Sequence, residues 1–299
     1  PITGTGPAGG TLLAQNDADR DLVALLFAPL NELTTFSVAE DTRTWTVTFK
    51  ENLQWSDNEP LGSHDLLFTL ERILALENLS PLYATWQGVV SERISEREVR
   101  LTTRNPYAFF SDTIAGLRII PRHIFEAVPA ANMRLSEYNL EPVGSGPYRF
   151  RAYEKQKDGF IAEYVVEQNP QYAGGEPLIE EFRMRFFESL PEALAAFNQK
   201  KLDGVGGVRD EDLSGVRVSY QLFEVPTPRF YAVFLNPALS VPLKEKAVRT
   251  ALFQVTDPRA IVTAILRDRA QAAPGPIPPS VQGFSEDAFA NLASSTAEA

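Results

Sequence analysis

The chain of 299 residues contains no cysteine. Disulfides, thiolate nucleophiles, zinc–sulfur sites and iron–sulfur clusters are thereby excluded. Histidine is almost as scarce: there are only His64 and His123, and neither has a plausible metal-binding partner at i+4. Imidazole-based metal centres and Ser-His or Cys-His catalysis lack their material. Basic residues are outnumbered, 28 against 39 acidic ones, for a formal net charge of −11. The basic footprint that binds phosphate backbones is missing, so nucleic acid is not an expected partner. Long apolar runs are missing too. Leu22 to Leu30 is broken by Pro29 and falls far short of the ~20 residues of a membrane-spanning helix. No basic segment followed by an apolar one opens the chain, which fits either a cytosolic protein or one whose leader has been removed.

Material for a core is plentiful. Hydrophobic residues make up 44% and charged ones 22%, a balance that excludes global disorder. The length suits two lobes or one large domain. Residues 1–10 read as a loose Pro/Gly/Thr segment, Thr11 to Ala14 as a short strand and Asp17 to Leu30 as a helix. Trp45, Val47 and Phe49 alternate with threonines, the pattern of a half-buried strand. A turn cluster, Trp55 to Pro60, leads to a helix over Ser63 to Ala75, with Ser63 as its expected N-cap. Hairpins are predicted over Val89 to Arg104 and Tyr148 to Glu167. Ile179 to Phe187, Gly204 to Val208, Ser219 to Val225 and Phe230 to Leu235 read as strands. Helices are predicted at Pro121 to Ala127, Ser189 to Gln199, Lys244 to Val255, Pro258 to Leu266 and from Ser285 onward. Hairpins mixed with strand–helix–strand crossovers imply an α/β chain with mixed sheets.

Motifs of chemistry are tested and set aside. Gly4-Thr5-Gly6-Pro7-Ala8-Gly9 has dinucleotide-fingerprint spacing, but no strand precedes it and a strand follows. Asp17, Asp19 and Asp21 imitate a calcium loop, yet Leu22 stands at the glycine turn and Ala28 at the glutamate position. Val143 and Pro147 flank Gly144-Ser145-Gly146 where a nucleophile elbow needs glycines. Acidic residues are numerous enough for a carboxylate-pair hydrolase, but no two stand out at apolar strand ends. Trp45, Trp55, Trp86, Phe230 and Tyr231 could build a stacking wall; core packing is the default reading for each.

The order of segments carries more than any motif. Thr44-Trp45-Thr46-Val47-Thr48-Phe49-Lys50-Glu51-Asn52-Leu53-Gln54-Trp55-Ser56-Asp57 is followed by Glu59-Pro60-Leu61 and by Asp65-Leu66-Leu67-Phe68-Thr69-Leu70. This resembles the hallmark stretch of the family 5, or peptide/nickel-type, solute-binding proteins of ABC importers. Asn58 stands for the usual Gly, and Gly62-Ser63-His64 replaces the usual Thr-Ala pair. Four more stretches resemble the family in its order: Ile120-Pro121-Arg122-His123-Ile124; Pro142 to Tyr148, with Ser145 for Thr; Gln168 to Gly175 with Pro177; and Lys244 to Asp257.

The resemblance implies a two-lobed, type II periplasmic-binding-protein-like α/β fold. Lobe I would span 1–237, with a core of 1–30 and 143–237 and an inserted subdomain at 31–142. Residues 238–299 would begin a second lobe, which the chain is expected to leave incomplete. It further implies capture of a solute in an interlobe cleft, an oligopeptide or dipeptide, although relatives with this framework take nickel chelates, haem or oligosaccharides. The expected ligand contacts are Gln15, Asn16 and Asp17 after the first strand, Trp86, the Gly144-Ser145-Gly146 backbone, Arg229, Phe230 and Tyr231 beside Pro226-Thr227-Pro228, and Asn236. Gly144 to Gly146 would offer free N–H and C=O groups to an extended peptide. The acidic residue that meets the peptide amine in relatives would fall beyond Ala299. No catalytic residue, metal or cofactor is implied. The expected partners are the solute and the membrane permease, the expected state a monomer, and the expected location periplasmic or extracellular, at the membrane. The competing readings are a carboxylate-dependent hydrolase and a non-transporting, partner-binding receptor.

Overall fold

A computed structural model describes residues 17–224, 231–273 and 285. The chain divides into two compact units, 1–219 and 220–299. The predicted strand at 11–14, residues 226–228 and the predicted helix beyond Ser285 lie outside the described residues.

In the first unit, α1 (Asp17–Leu26) stops four residues before the predicted end, and α2 (Leu30–Leu33) starts after Pro29. Proline supplies no N–H and disfavours helical backbone before it, so the apolar run becomes two helices joined by a bend. β1 (Thr34–Val38) and β2 (Thr44–Phe49) form a hairpin. In its loop, Asp41 Oδ1 accepts the N–H groups of Arg43 and Thr44 at 2.9 and 2.8 Å. Along β2, Trp45, Val47 and Phe49 are buried and the threonines half-buried, as the alternation predicts.

α3 (Ser63–Leu74) buries Leu66, Leu70 and Ile73 on one face. Its N-cap is Gly62, not Ser63. The Asp65 carboxylate accepts the Gly62 N–H at 3.0 Å, while the Ser63 hydroxyl donates to Ser95 C=O at 2.6 Å. A nearby carbonyl thus takes the hydroxyl that would have capped the helix. After α4 (Tyr83–Trp86), the hairpin β3 (Val90–Arg93) and β4 (Glu98–Thr102) completes a sheet of order β1-β2-β4-β3. α5 (Phe110–Ala115) and α6 (Arg122–Phe125) follow.

β5 (Tyr148–Lys155), β6 (Ile161–Gln168) and β7 (Glu181–Arg185) make a second sheet, followed by α7 (Leu190–Asn198) and α8 (Asp210–Leu213). On its outer face Arg149, Arg151, Arg183 and Arg185 all pair with Glu163, Glu167 or Glu181. Every strand pairing among the described residues is antiparallel; the parallel pairs of the expected mixed sheets are not among them. One apolar cluster runs from Leu22 and Leu26 through Val47, Leu66 and Leu101 to Tyr164, Val166 and Phe186. Side chains from within residues 31–142 thus pack in the same cluster as those of the β5–β7 sheet.

Gly204 to Val208 forms no strand, and neither do the described parts of the two later predicted strands, 219–224 and 231–235. An alternating or β-rich sequence sets which side chains can share a face, but a strand exists only where a neighbouring backbone completes its ladder. No described residue pairs with these segments. The second unit contains α9 (Lys246–Val255) and α10 (Pro258–Leu266). Asp257 caps α10, its Oδ1 accepting the N–H groups of Arg259 and Ala260 at 2.9 and 3.1 Å.

Candidate functional site

The glycine-flanked serine does a different job from the one expected. Gly144 N–H donates to Ser56 Oγ at 3.1 Å, and Gly144 C=O accepts from Ser56 N–H at 2.9 Å. Gly146 N–H donates to Leu26 C=O at 2.9 Å, and Gly146 C=O accepts from Asn169 Nδ2 at 2.8 Å. These backbone groups are consumed inside the protein, which corrects the expectation that they await a peptide. Ser145 is buried and its Oγ accepts the Ala28 N–H at 3.2 Å. The missing side chains let this segment lie against the end of α1, where Leu26 C=O would otherwise be an orphaned helix carbonyl.

Trp86 is a core residue, 1% exposed, with its ring edge-on to Phe110 at 5.6 Å. Phe110 in turn meets Trp45 at 5.9 Å. Its ring is packed into the core, and the residue also lies in the floor of the cleft described next. Asp17 opens α1; Gln15 and Asn16 lie outside the described residues, as do Arg229 and Phe230. Tyr231 is exposed, and Asn236 is engaged in its own turn, its Oδ1 accepting the Ala238 N–H at 2.9 Å. The two histidines pair with carboxylates, His123 with Asp57 at 2.8 Å and His64 with Asp65 at 3.3 Å. No group of three metal-binding side chains occurs among the described residues.

The first unit also holds a cleft of about 500 Å3, and of the ligand contacts expected from the sequence Trp86 lines it. Arg20 and Val23 of α1, Leu82, Thr85 and Trp86 around α4, and Thr113, Gly116, Leu117 and Arg118 after α5 line it. Its floor is apolar and two arginines stand in its walls. Arg118 is held from both sides. Leu30 N–H donates to Leu117 C=O at 2.8 Å, and Arg118 Nε donates to Phe27 C=O at 3.0 Å. Burial lowers the Arg118 guanidinium from its ordinary value, and the field of Glu32 opposes that shift. A sequence signal was available: Arg118 is a lone charge between Leu117 and Ile119-Ile120, all three buried. A single cation inside an apolar run is costly unless something uses it.

Glu32 is itself anchored, accepting the Tyr172 hydroxyl at 2.6 Å. Burial, then the bond to Glu32, pushes the Tyr172 phenol up from 10.0 to about 12. A group whose value is raised by folding contributes stability that is complete below its unfolded value and is lost as pH rises through the folded one. Wild type should therefore lose its advantage over Tyr172→Phe between pH 10 and about 12. Paired urea titrations across that window check this; an unchanged gap between the two proteins would refute it.

The comparisons with known proteins fit this architecture. The family described as "Bacterial extracellular solute-binding proteins, family 5 Middle" matches residues 29–297. Protein XP55 of Streptomyces lividans is 30% identical over 289 residues, 93% of this chain and 49% of that protein. Oligopeptide-binding protein AppA of Bacillus subtilis is 23% identical over 295 residues, 93% of this chain and 53% of that protein. Its crystal structure in complex with a nonapeptide aligns with a TM-score of 0.67 at 20% identity, covering 95% of this chain and 58% of that one. The substrate-binding protein CtaP of Listeria monocytogenes aligns with a TM-score of 0.75 at 23% identity, covering 95% of this chain and 60% of that one. The chain thus spans about half the length of the curated relatives it matches, and it shares the type II periplasmic-binding-protein fold of the solved ones. No described helix is long and apolar enough to cross a membrane. With the match running over nearly the whole sequence, the chain belongs to the bacterial extracellular solute-binding proteins of family 5.

Proposed function

We propose that this protein is the substrate-binding component of an ABC importer and that its solute is an oligopeptide or dipeptide. The observation that carries the reading is the family match over residues 29–297, joined to the fold likeness with a protein solved around a nonapeptide. In this reading a solute touches both lobes, favours the closed form by its differential affinity, and is handed to membrane permease subunits in that form. The protein acts as a monomer outside the cytoplasm, at the membrane, and performs no catalysis. The cleft of the first unit supplies one wall of the solute site.

The test is ligand-induced thermal stabilisation of the natural-length protein against pools of two- to nine-residue peptides, nickel chelates and oligosaccharides. A peptide at a hundred times its Kd should add about 2.7 kcal/mol to stability. Stabilisation by a chelate or an oligosaccharide, with none by any peptide pool, would replace the peptide reading.

A further inference from the structure

We infer that the first unit carries a docking face for a partner protein, separate from its cleft. Three exposed leucines, Leu76, Leu79 and Leu135, form the face, and carboxylates flank them; it fits an apolar segment bordered by lysine or arginine. None of the three leucines lines the cleft, and the inference stands apart from the solute-binding reading.

Leucines scattered singly over a surface need no explanation, but several on adjoining turns do. Leu76–Asn78 and Ala130–Leu135 are 3₁₀ turns that lie against each other. Leu76 is 67% exposed, Leu79 69% and Leu135 85%. Leu76 and Leu79 are three residues apart, the spacing at which side chains of a 3₁₀ turn share a face. Buried asparagines hold both turns in place. Asn78 Nδ2 donates to Arg72 C=O at 3.0 Å, and Asn139 Nδ2 donates to Met133 C=O at 2.7 Å. Leu79 also sits at φ 51 and ψ 38, the left-handed region, where a residue with a Cβ is disfavoured. The fold thus holds this leucine outward against two penalties, exposure of apolar surface and backbone strain. Strain of this kind persists only where the surroundings impose it, and it collects at recognition sites.

Charge selects the occupant. Residues 71–79 and 130–141 carry the carboxylates of Glu71, Glu77, Glu137 and Glu141 against two arginines, Arg72 and Arg134. All four glutamates are exposed, and none forms an ion pair among the described side chains. Arg72 is occupied: its guanidinium lies 4.7 Å from the Phe68 ring centre and donates to Glu126 C=O at 3.4 Å. An anionic bilayer is repelled by such a face. A second copy, docking about a two-fold axis, would bring the same carboxylates against themselves. A partner segment with lysine or arginine beside its apolar side chains meets leucine at the centre and opposite charge at the rim, the arrangement of a specific interface. Turns already fixed by their asparagines lose little freedom on binding.

The probe is the segment Lys-Leu-Leu-Lys-Leu-Leu-Lys displayed in a surface loop of a folded carrier protein, which keeps it out of the cleft. Its twin carries Glu at each Lys position. Both are titrated calorimetrically into the natural-length protein. The lysine probe should bind wild type about tenfold more tightly than the glutamate probe. Leu79→Asn should weaken it about tenfold, because asparagine tolerates the left-handed backbone and lacks the apolar contact. The urea midpoint of that variant should equal or exceed that of wild type. Leu76→Ser combined with Leu135→Ser should abolish binding, and Glu77→Lys combined with Glu137→Lys should reverse the preference between the probes. Lysine-probe binding untouched by the leucine changes, or no binding at all, overturns the proposal. So does a Leu79→Asn midpoint below wild type, which would make Leu79 a packing residue. Sedimentation with phosphatidylglycerol vesicles, or dimerisation in the ultracentrifuge, would name another occupant and overturn it too if either is lost in the leucine variants. Should a leucine variant fail to fold, the charge-reversal protein and the two probes on wild type still decide. All of these outcomes leave solute capture untouched, so the two readings fail separately.

Discussion

Gly144→Ala should unfold this protein or cost it more than about 3 kcal/mol, the upper end of overpacking penalties. A Cβ built on Gly144 would lie 1.9 Å from Leu26 O and 2.9 Å from Leu26 C. Both are backbone atoms, so no side chain can rotate away. Withdrawal of the 144–146 segment is blocked by its own bonds to Ser56, Leu26 and Asn169. Leu26 cannot retreat either, because its helix is packed into the core through Leu22 and Leu26. The damage would reach the cleft, since the adjacent Phe27 C=O holds Arg118. Ser145→Ala calibrates the scale. It removes the acceptor of a buried N–H and leaves the backbone path open, so a loss of about 1–3 kcal/mol is expected. Urea midpoints of the three proteins make the comparison; a Gly144→Ala midpoint equal to wild type would show that the two backbones do not meet as described.

Asp65→Ala should cost about 3–5 kcal/mol, the range for stripping the partner from buried polar and charged groups. Asp65 is fully buried. Its Oδ1 accepts Arg122 N–H at 2.9 Å, and its Oδ2 accepts Gly62 N–H at 3.0 Å and Trp55 Nε1 at 3.3 Å, with His64 Nε2 also at 3.3 Å. One carboxylate thus joins the turn after β2, the start of α3 and the start of α6. Burial pushes its pKa up while these donors pull it down. Alanine would leave the N–H groups of Gly62, Trp55 and Arg122 facing a void. Asparagine keeps one acceptor and turns an N–H₂ toward some of the same donors, so Asp65→Asn should fall between wild type and alanine. Calorimetric or denaturant unfolding orders the three; an alanine protein within about 0.5 kcal/mol of wild type, the range of neutral surface changes, would defeat the argument.

Asp65 also shows how far the sequence could be read. It stands in the Asp65-Leu66-Leu67-Phe68-Thr69-Leu70 stretch that carries the family resemblance, and the resemblance was right. Its work at the junction of three segments was not legible, because two of its donors lie 10 and 57 residues away. Gly144 and Gly146 were noticed for their lack of side chains, and a ligand was the first explanation. The explanation found in the structure is the α1 backbone, more than a hundred residues earlier in the chain. Arg118 is legible in the sequence as a lone charge among Leu117, Ile119 and Ile120, but its hold on Phe27 C=O, 91 residues away, is not.

The sequence by itself determined what local periodicity and composition can determine. The β2 alternation, the α3 stripe, the helix break at Pro29 and the hairpin turns each depend on neighbours a few residues apart. The absence of cysteine and the scarcity of histidine closed whole classes of chemistry without any coordinates. Tertiary structure alone decided which glycines touch which carbonyls, which tryptophan is floor rather than wall, which predicted strands find no ladder, and where a half-buried arginine stands without an acid. Those outcomes depend on groups brought together from distant parts of the chain. Steric exclusion and desolvation act on that juxtaposition, and no window along the sequence contains both partners.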